Sequence, residues 1–438
     1  MMNSGIILPG LVAVIAPFLS LAQELPSSRG QVATTWDEAY SRMAPYKDDQ
    51  TVTIGDGTLE GKIICGYQGW FHAEGDGSGR GWVHYGGGEF KPGSCTVDYW
   101  PDMTEMDPDE CYPTEFRYKD GSVASVFSSY NAKTVNRHFK WMAEYGIDGA
   151  FLQRFGSDVR TPQGFDRCNA ILDNVRNAAN QHKRTWAVMY DLSGLKAGEV
   201  ESVVRADWKC LVDSMAVTKD PAYQRHAGKP LVIVWGIGFN DKRQYTLAEC
   251  RKLVEFLKND PVYGGNSLML GVPYGWCTQT QDSVAGPDMD AIIRQADVIS
   301  PWSVGRYSNI ETFRQRLNAT VRPDIRWCRQ NHVSYMPVIF PGFRWDNLRK
   351  YNNLPPTNHI SRDKGAFFAA QGDELIEARV KMIYIAMFDE IDEGTAIFKC
   401  TNNPPEGESS FGTLEGLPSD HYLKLAGAIG KKLKETNK

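Results

Sequence analysis

The chain has 438 residues, 42% hydrophobic and 23% charged, with 48 Lys and Arg against 53 Asp and Glu for a formal charge of −5. That balance is globular and excludes disordered and fibrous classes. It also lacks the basic surplus that a nucleic-acid or anionic-membrane binder requires. A chain of this length buries a large core without disulfide or metal staples, and its unusual feature is aromatic: 12 Trp, 19 Tyr and 19 Phe.

Residues 1–22 read as a secretory signal, with an apolar run from Ile6 to Leu21 and small residues Ser20 and Ala22 before the expected cut at Gln23. The expected location is therefore secreted or periplasmic. An uncleaved anchor is the alternative, but Pro9 and Pro17 interrupt a run already short of the roughly 20 residues a span needs. No later stretch reaches that length, so no membrane-spanning segment is expected. Residues 23–56 form a polar lead-in, and 57–438 read as one domain.

Within that domain, short apolar runs alternate with amphipathic ones. The first predicted strand is Lys62–Phe71, followed by a long segment, Glu74 to Tyr130, that reads as an insertion over one end of the fold. A helix over Asn131–Tyr145 follows, with Val135, Phe139, Met142 and Ala143 on one side. Strand Asp148–Phe155, helix Gln163–His182, strand Thr185–Leu192 and helix Glu199–Met215 come next. Strand Pro230–Gly238, helix Thr246–Leu257, strand Ser267–Trp276 and helix Met289–Ala296 continue the pattern. It ends with strand Asp297–Val304, helix Ile310–Asn331, strand Ser334–Phe343, helix Glu374–Val380 and strand Lys381–Phe388. Strands that are apolar throughout suit a parallel sheet covered on both faces. Eight such alternations predict a single (β/α)8 TIM barrel with a long insertion after strand 1. An open doubly wound sheet is the competitor. The glycine-rich EGDGSGRG after the first strand does not match a dinucleotide or P-loop fingerprint.

The 9 cysteines are widely spaced with no C-x-x-C, which excludes zinc ribbons and thioredoxin-like motifs. Cys95 and Cys111 could close one loop, a pairing that spacing alone does not show, and the odd count leaves at least one thiol free.

In such a barrel, chemistry sits at the carboxyl ends of the strands. Nearly every predicted strand ends in an aromatic: Tyr67 and Trp70, Phe155, Tyr190, Trp235, Tyr274 and Trp276, Trp302, Phe343 and Trp345, and Phe388. Flat rings beside polar neighbours suit sugars, whose C–H faces stack while their hydroxyls hydrogen-bond; the plainer reading is that the rings plug the barrel end. The last run, KMIYIAMF, leads straight into Asp389-Glu390-Ile391-Asp392-Glu393-Gly394. Crowded carboxylates repel, so a solvated loop, a calcium ion or acid–base catalysis must offset the cost. The spacing does not fit an EF-hand loop. Glycoside hydrolysis needs a carboxyl pair with one member protonated and one ionised, and crowding splits pKa values in that way.

The segment FDEIDEGTAI resembles the last-strand motif of glycoside hydrolase family 99, the endo-acting α-mannosidases and α-mannanases, in which a Glu-x-x-Glu-Gly-Thr core carries both catalytic carboxylates. IICGYQGWF, DGAFLQRF, KPLVIVWGIGF, VISPWSVGRY and MPVIFPGFRW resemble the wider group related to families 71 and 99. Together the strings span Lys62 to Ile397. The resemblance implies a retaining glycoside hydrolase that works through a 1,2-anhydro sugar. Glu390 would be base on the substrate's 2-hydroxyl, and Glu393 the acid at the leaving oxygen and then the base on water. The sequence departs from the family at Ile391-Asp392, where Trp-His is usual, and at Asp389, where Asn is usual.

Substrate-binding candidates are Tyr67, Trp70, His72, Arg154, Asp191, Trp235, Tyr274, Trp302, Phe343, Arg344 and Asp389. Arg154 and Arg344 suit hydroxyls or an anionic sugar, or else a structural ion pair. Asp191 suits a hydroxyl acceptor or a helix cap, and His72 a cleft wall or a locally satisfied ring. No H-E-x-x-H or G-x-S-x-G occurs, so zinc hydrolysis and the α/β-hydrolase esterases are disfavoured, and neither a metal nor an organic cofactor is implied. The expected partner is an oligo- or polysaccharide. A non-catalytic carbohydrate-binding protein on the same barrel is the rival class, and a lyase or transglycosidase a third.

Overall fold

The computed structural model describes residues 31–47, 53–55, 57–357 and 359–437. The expected signal at 1–22 lies outside the described residues.

Every strand read from the sequence is present. They are β1 (Ile63–Tyr67), β2 (Gly149–Phe155), β3 (Thr185–Asp191), β4 (Lys229–Trp235), β5 (Ser267–Val272), β6 (Val298–Pro301), β7 (Ser334–Tyr335 continued by Val338–Ile339) and β8 (Ile383–Ile385). All neighbouring pairs run parallel, and β8 returns to β1 with Ile63 opposite Ile383.

The seventh strand closes the barrel by splitting its duties. Ser334 and Tyr335 pair with β6, whereas Val338 and Ile339 pair with β8. Between them stands Pro337, which has no N–H for a ladder but offers its carbonyl to Tyr384 N at 3.0 Å. Eight strands therefore form one continuous cylinder, and the doubly wound alternative is ruled out. The interior is filled by side chains, Phe151 stacking on Tyr384 with centroids 5.7 Å apart. Gly66 allows that filling, because a Cβ there would stand 2.1 Å from the Tyr384 hydroxyl.

Helices Ala132–Glu144, Pro162–Gln181, Leu247–Asn259 and Pro287–Ile293 lie where the periodicity puts them. Two others contain π-helical turns, at Val200–Arg205 and Leu317–Val321. The helix expected from Glu374 starts eight residues earlier, at Ala366. A final helix, His421–Thr436, was not foreseen. It buries Tyr422, Leu423, Ala426, Ile429 and Leu433, and a Cβ on its Gly430 would meet Ile63 of β1 at 2.7 Å.

The insertion contains an antiparallel hairpin, Tyr112–Arg117 with Val123–Val126. Its aromatic residues pack together with Phe411 from the C-terminal part of the chain: Phe90 stacks on Trp100 at 5.6 Å, Phe116 lies tilted against Phe90, and Phe411 packs edgewise on Trp100 and Phe116. Part of the aromatic surplus thus builds this appendage rather than a binding cleft. All 9 thiols are free, so the Cys95–Cys111 loop is not closed; Cys95 Sγ instead meets Ser409 Oγ at 3.3 Å. Among the described residues no helix is long and apolar enough to cross a membrane.

Candidate active site

The chain leaves β8 at Ile385 and turns through the acidic segment at the carboxyl end of the barrel. Two loops hold that turn. Glu390's carbonyl accepts from Thr395 N at 3.1 Å and Ala396 N at 3.0 Å, which rolls the segment back on itself. Gly394, at φ 66, sits where a Cβ would be 2.8 Å from Arg344 N, so the loop after β7 approaches closely. Arg344 N donates to the Glu393 carbonyl at 2.9 Å.

Asp389 is fully buried and accepts from Gln68 N at 2.8 Å and Gly69 N at 2.9 Å, tying the end of β1 to the segment after β8. Burial pushes its carboxyl up to about 7 against those two donors. Glu390 is also buried. The Gln68 carboxamide donates to its Oε1 at 2.6 Å and the Thr395 hydroxyl donates to its Oε2. Its pKa lies well above the usual carboxylate range because of burial, then the charges of Glu393 and Asp392. Glu393 keeps part of its surface open, and among the described residues no donor reaches its carboxylate. Burial and Asp392 push it up to about 8.

Both glutamates are raised and interact, so they titrate as a pair rather than as two independent groups. Donors decide where the charge rests. Two N–H or O–H groups aimed at Glu390 favour its ionised form, and none favours that of Glu393.

Asp392, between them, has its Oδ2 2.9 Å from His84 Nδ1 and its Oδ1 buried without a partner. The His84 ring lies flat on Trp70, centroids 3.7 Å apart at 5°. Asp98, fully buried, is pushed up to about 8 by burial, and its Oδ1 faces Arg344 Nε at 3.3 Å. Its backbone N–H donates to the Ile391 carbonyl at 2.9 Å. The insertion after β1 therefore supplies His84 and Asp98 to the acidic turn.

The structure sorts the sequence candidates. Glu390, Glu393 and Asp389 share one loop, with Arg344 on its backbone and Trp70 joined to it through His84. Phe343 packs against Trp345 at 5.1 Å. Trp235 and Trp302, both partly exposed, meet edge to face at 5.6 Å at the ends of β4 and β6. Asp191 is buried, accepts from Ser193 N at 2.7 Å, and is raised by burial. His72 is buried with Nδ1 3.2 Å from Asp76, and burial lowers its pKa.

Three candidates point elsewhere. The Tyr67 hydroxyl bonds His138 Nδ1 at 2.9 Å in the helix layer. Tyr274 is 2% exposed, beside Asp324 of the helix Arg322–Gln330. Arg154 makes a two-pronged ion pair with Asp207, at 2.6 and 2.7 Å, with Asn169 at 2.8 Å. It is a buried structural pair, not a free sugar ligand.

Sequence reasoning passed over Gln68, Thr395, His84 and Asp98. Gln68 and Thr395 stood inside the quoted strings GYQGW and EGT, so their signal was present. His84 and Asp98 lie in the insertion, where no periodicity marks them. Among the described residues no three His, Cys, Asp or Glu side chains converge as metal ligands.

No family model and no curated protein matches the chain. Solved structures do. The GH99 endo-alpha-mannosidase from Bacteroides thetaiotaomicron, in complex with BIS-TRIS-propane, superposes with TM-score 0.62 at 15% identity over 86% of this chain and 99% of that one. A second structure of that enzyme gives 0.59 at 16% identity, also over 86% and 99%. A glycoside hydrolase-like protein gives 0.55 at 13% identity over 88% and 98%. In fold, along nearly the whole length of those chains, this protein is similar to the family 99 barrels that its last-strand motif resembles.

Proposed function

We propose that the protein is a secreted glycoside hydrolase acting on an α-linked glycan with retention, through a 1,2-anhydro sugar. Glu390 takes the proton of the 2-hydroxyl, and that oxygen attacks the anomeric carbon as the bond to the leaving oxygen breaks. Glu393 gives its proton to the leaving oxygen. In the second half Glu393 takes a proton from water as water opens the three-membered ring, and Glu390 returns its proton to the 2-oxygen. The route needs a 2-hydroxyl trans to the leaving group, as in α-mannosides.

The observation that carries this reading is the asymmetry of donors: Gln68 and Thr395 both serve Glu390, while Glu393 has none and sits at about 8. An ionised base and a protonated acid on one turn are what the reaction requires. The likeness to endo-alpha-mannosidase barrels supports it. Asp389 and Asp392, in place of the family's Asn and His, change the surface offered to the sugar, so the activity is carried over as glycan hydrolysis rather than as mannose specificity.

Digestion of a glycan panel, read by mass spectrometry with NMR of the anomer first released, tests the proposal. Release of a product with retained configuration, abolished in Glu390→Gln and Glu393→Gln, is expected. Glycan binding without any product would favour the non-catalytic rival.

A further inference from the structure

A cavity of about 170 Å³ opens between the ends of β1 and β2, lined by Gln68, Trp70, Arg80, Gln153, Phe155 and Arg167 among others. It adjoins the candidate active site: Gln68 lines it while donating to Glu390. One wall is flat and aromatic: Trp70 and Phe155 are stacked with centroids 5.6 Å apart at 27°.

The polar atoms of this cavity are unusually short of partners. Gln68 Oε1, Gln153 Oε1, Trp70 Nε1 and Arg167 Nε are all buried without a hydrogen bond. Unpaired buried donors and acceptors are costly, and a sugar ring's hydroxyls supply both kinds of partner.

Charge is the second anomaly. Among the described residues, Arg167 Nη1 reaches only the Ser78 carbonyl, at 3.4 Å. Among the described residues no carboxylate forms an ion pair with Arg167 or Arg80. The two guanidiniums repel each other: burial first, then Arg80, lowers the pKa of Arg167, and both arginines act on His72 in the same sense. Asp158, also in the lining, is the opposing charge, and it pairs with neither. Arg154, the third arginine of the lining, is already neutralised by Asp207. Two cations in one lining that form no ion pair, beside an aromatic wall, fit an anion carried on a ring.

We infer that this cavity is a subsite for an anionic sugar residue of the glycan, one bearing a sulfate ester or a carboxylate. Its ring lies along the Trp70–Phe155 wall, its hydroxyls meet Gln68 and Gln153, and its anion sits between Arg80 and Arg167. The inference deepens the glycosidase reading and rests on it for the presence of a glycan.

The test is an NMR titration at low ionic strength with methyl α-mannoside, its 6-sulfate ester and methyl glucuronoside. Wild type should bind at least one anionic probe about tenfold more tightly than the neutral one, as an added charge-assisted hydrogen bond implies. Whichever anion is preferred identifies the source. Arg80→Gln, an exposed-loop change, and Arg167→Gln should bring anionic and neutral probes within twofold, while Arg167→Lys keeps part of the preference. Equal binding of all probes by wild type, or a preference unchanged in both glutamine variants, overturns the inference. Titration of Glu390→Gln separates the two readings: anion preference in that variant, with no glycan cleaved by wild type, would sink the hydrolase and leave the subsite standing.

Discussion

Gln68 and Glu390 are 322 residues apart in sequence, and the carboxamide of one donates to the carboxylate of the other across 2.6 Å. That bond joins the end of the first barrel strand to the segment after the last. It exists because closing the cylinder makes β1 and β8 neighbours. Replacing Gln68 with Leu removes one of two donors to Glu390, a hydrogen bond to a charged group worth about 1.5–3 kcal/mol. The expected result is a fall in kcat/KM of roughly 10- to 100-fold, with the acid limb of the pH–rate profile moved upward because the ionised base has lost support. An unchanged profile would remove Gln68 from the machinery.

The pH profile of the wild type should be bell-shaped and displaced toward alkali. Glu393 must be protonated to act as acid, and its carboxyl is pushed up to about 8, so kcat/KM should fall above that pH. Glu390 must be ionised, and its pKa lies well above 4.5, so activity should already be lost at pH values where ordinary carboxylates still ionise. A flat profile between pH 5 and pH 9 would contradict the assignment.

Asp98 makes a prediction about stability. Its folded pKa is raised from 3.8 to about 8 by burial. A carboxyl raised on folding contributes stability that is complete below its unfolded pKa and is lost as pH rises through its folded one. The wild type should therefore lose stability between about pH 4 and pH 8, and Asp98→Asn should flatten that slope in urea melts. A slope identical in the two proteins would show that Asp98 titrates normally.

Arg154 separates structure from binding. Asp207→Asn leaves its guanidinium buried without a full counter-charge, at a cost of about 3–5 kcal/mol. Thermal melts should show the loss, whereas the affinity of the folded fraction for a neutral glycan should be unchanged. A selective loss of affinity at unaltered stability would return Arg154 to the list of sugar ligands.

Trp235 and Trp302, edge to face and partly exposed, are expected to hold a sugar ring. Trp235→Ala and Trp302→Ala should each raise KM about two- to tenfold with a smaller change in kcat, since stacking on an aromatic is worth about 0.5–1.5 kcal/mol. Unchanged KM in both would leave that face without a role.

The barrel was readable because its strands are apolar throughout and its helices carry a 3.6-residue stripe, two signals that do not depend on distant partners. The break at Pro337 was invisible to that reading: the run 334–343 is apolar on both sides of it, and only the positions of β6 and β8 divide it. Likewise, the acidic turn announced itself by charge density, whereas its control by His84 and Asp98 depends on where the insertion docks. Aromatic residues misled in part. Tyr67 ends its strand as a cleft residue would, yet its hydroxyl meets His138 in the helix layer, and Tyr274 lies in the turn after β5, buried rather than facing a cleft. The missed C-terminal helix had its stripe, Leu423, Ala426, Ile429 and Leu433, and could have been found.

The division of labour between the two glutamates is tested most directly by leaving-group dependence. First-turnover release from an aryl glycoside of the cleaved sugar is measured for Glu390→Gln and Glu393→Gln, once with a 2,4-dinitrophenyl group, which needs no protonation, and once with an unactivated alcohol. Glu393→Gln should release dinitrophenolate at close to the wild-type rate and lose the alcohol, while Glu390→Gln should lose both. If Glu390→Gln cleaves either substrate like the wild type, or if Glu393→Gln is equally impaired on both, the account is wrong.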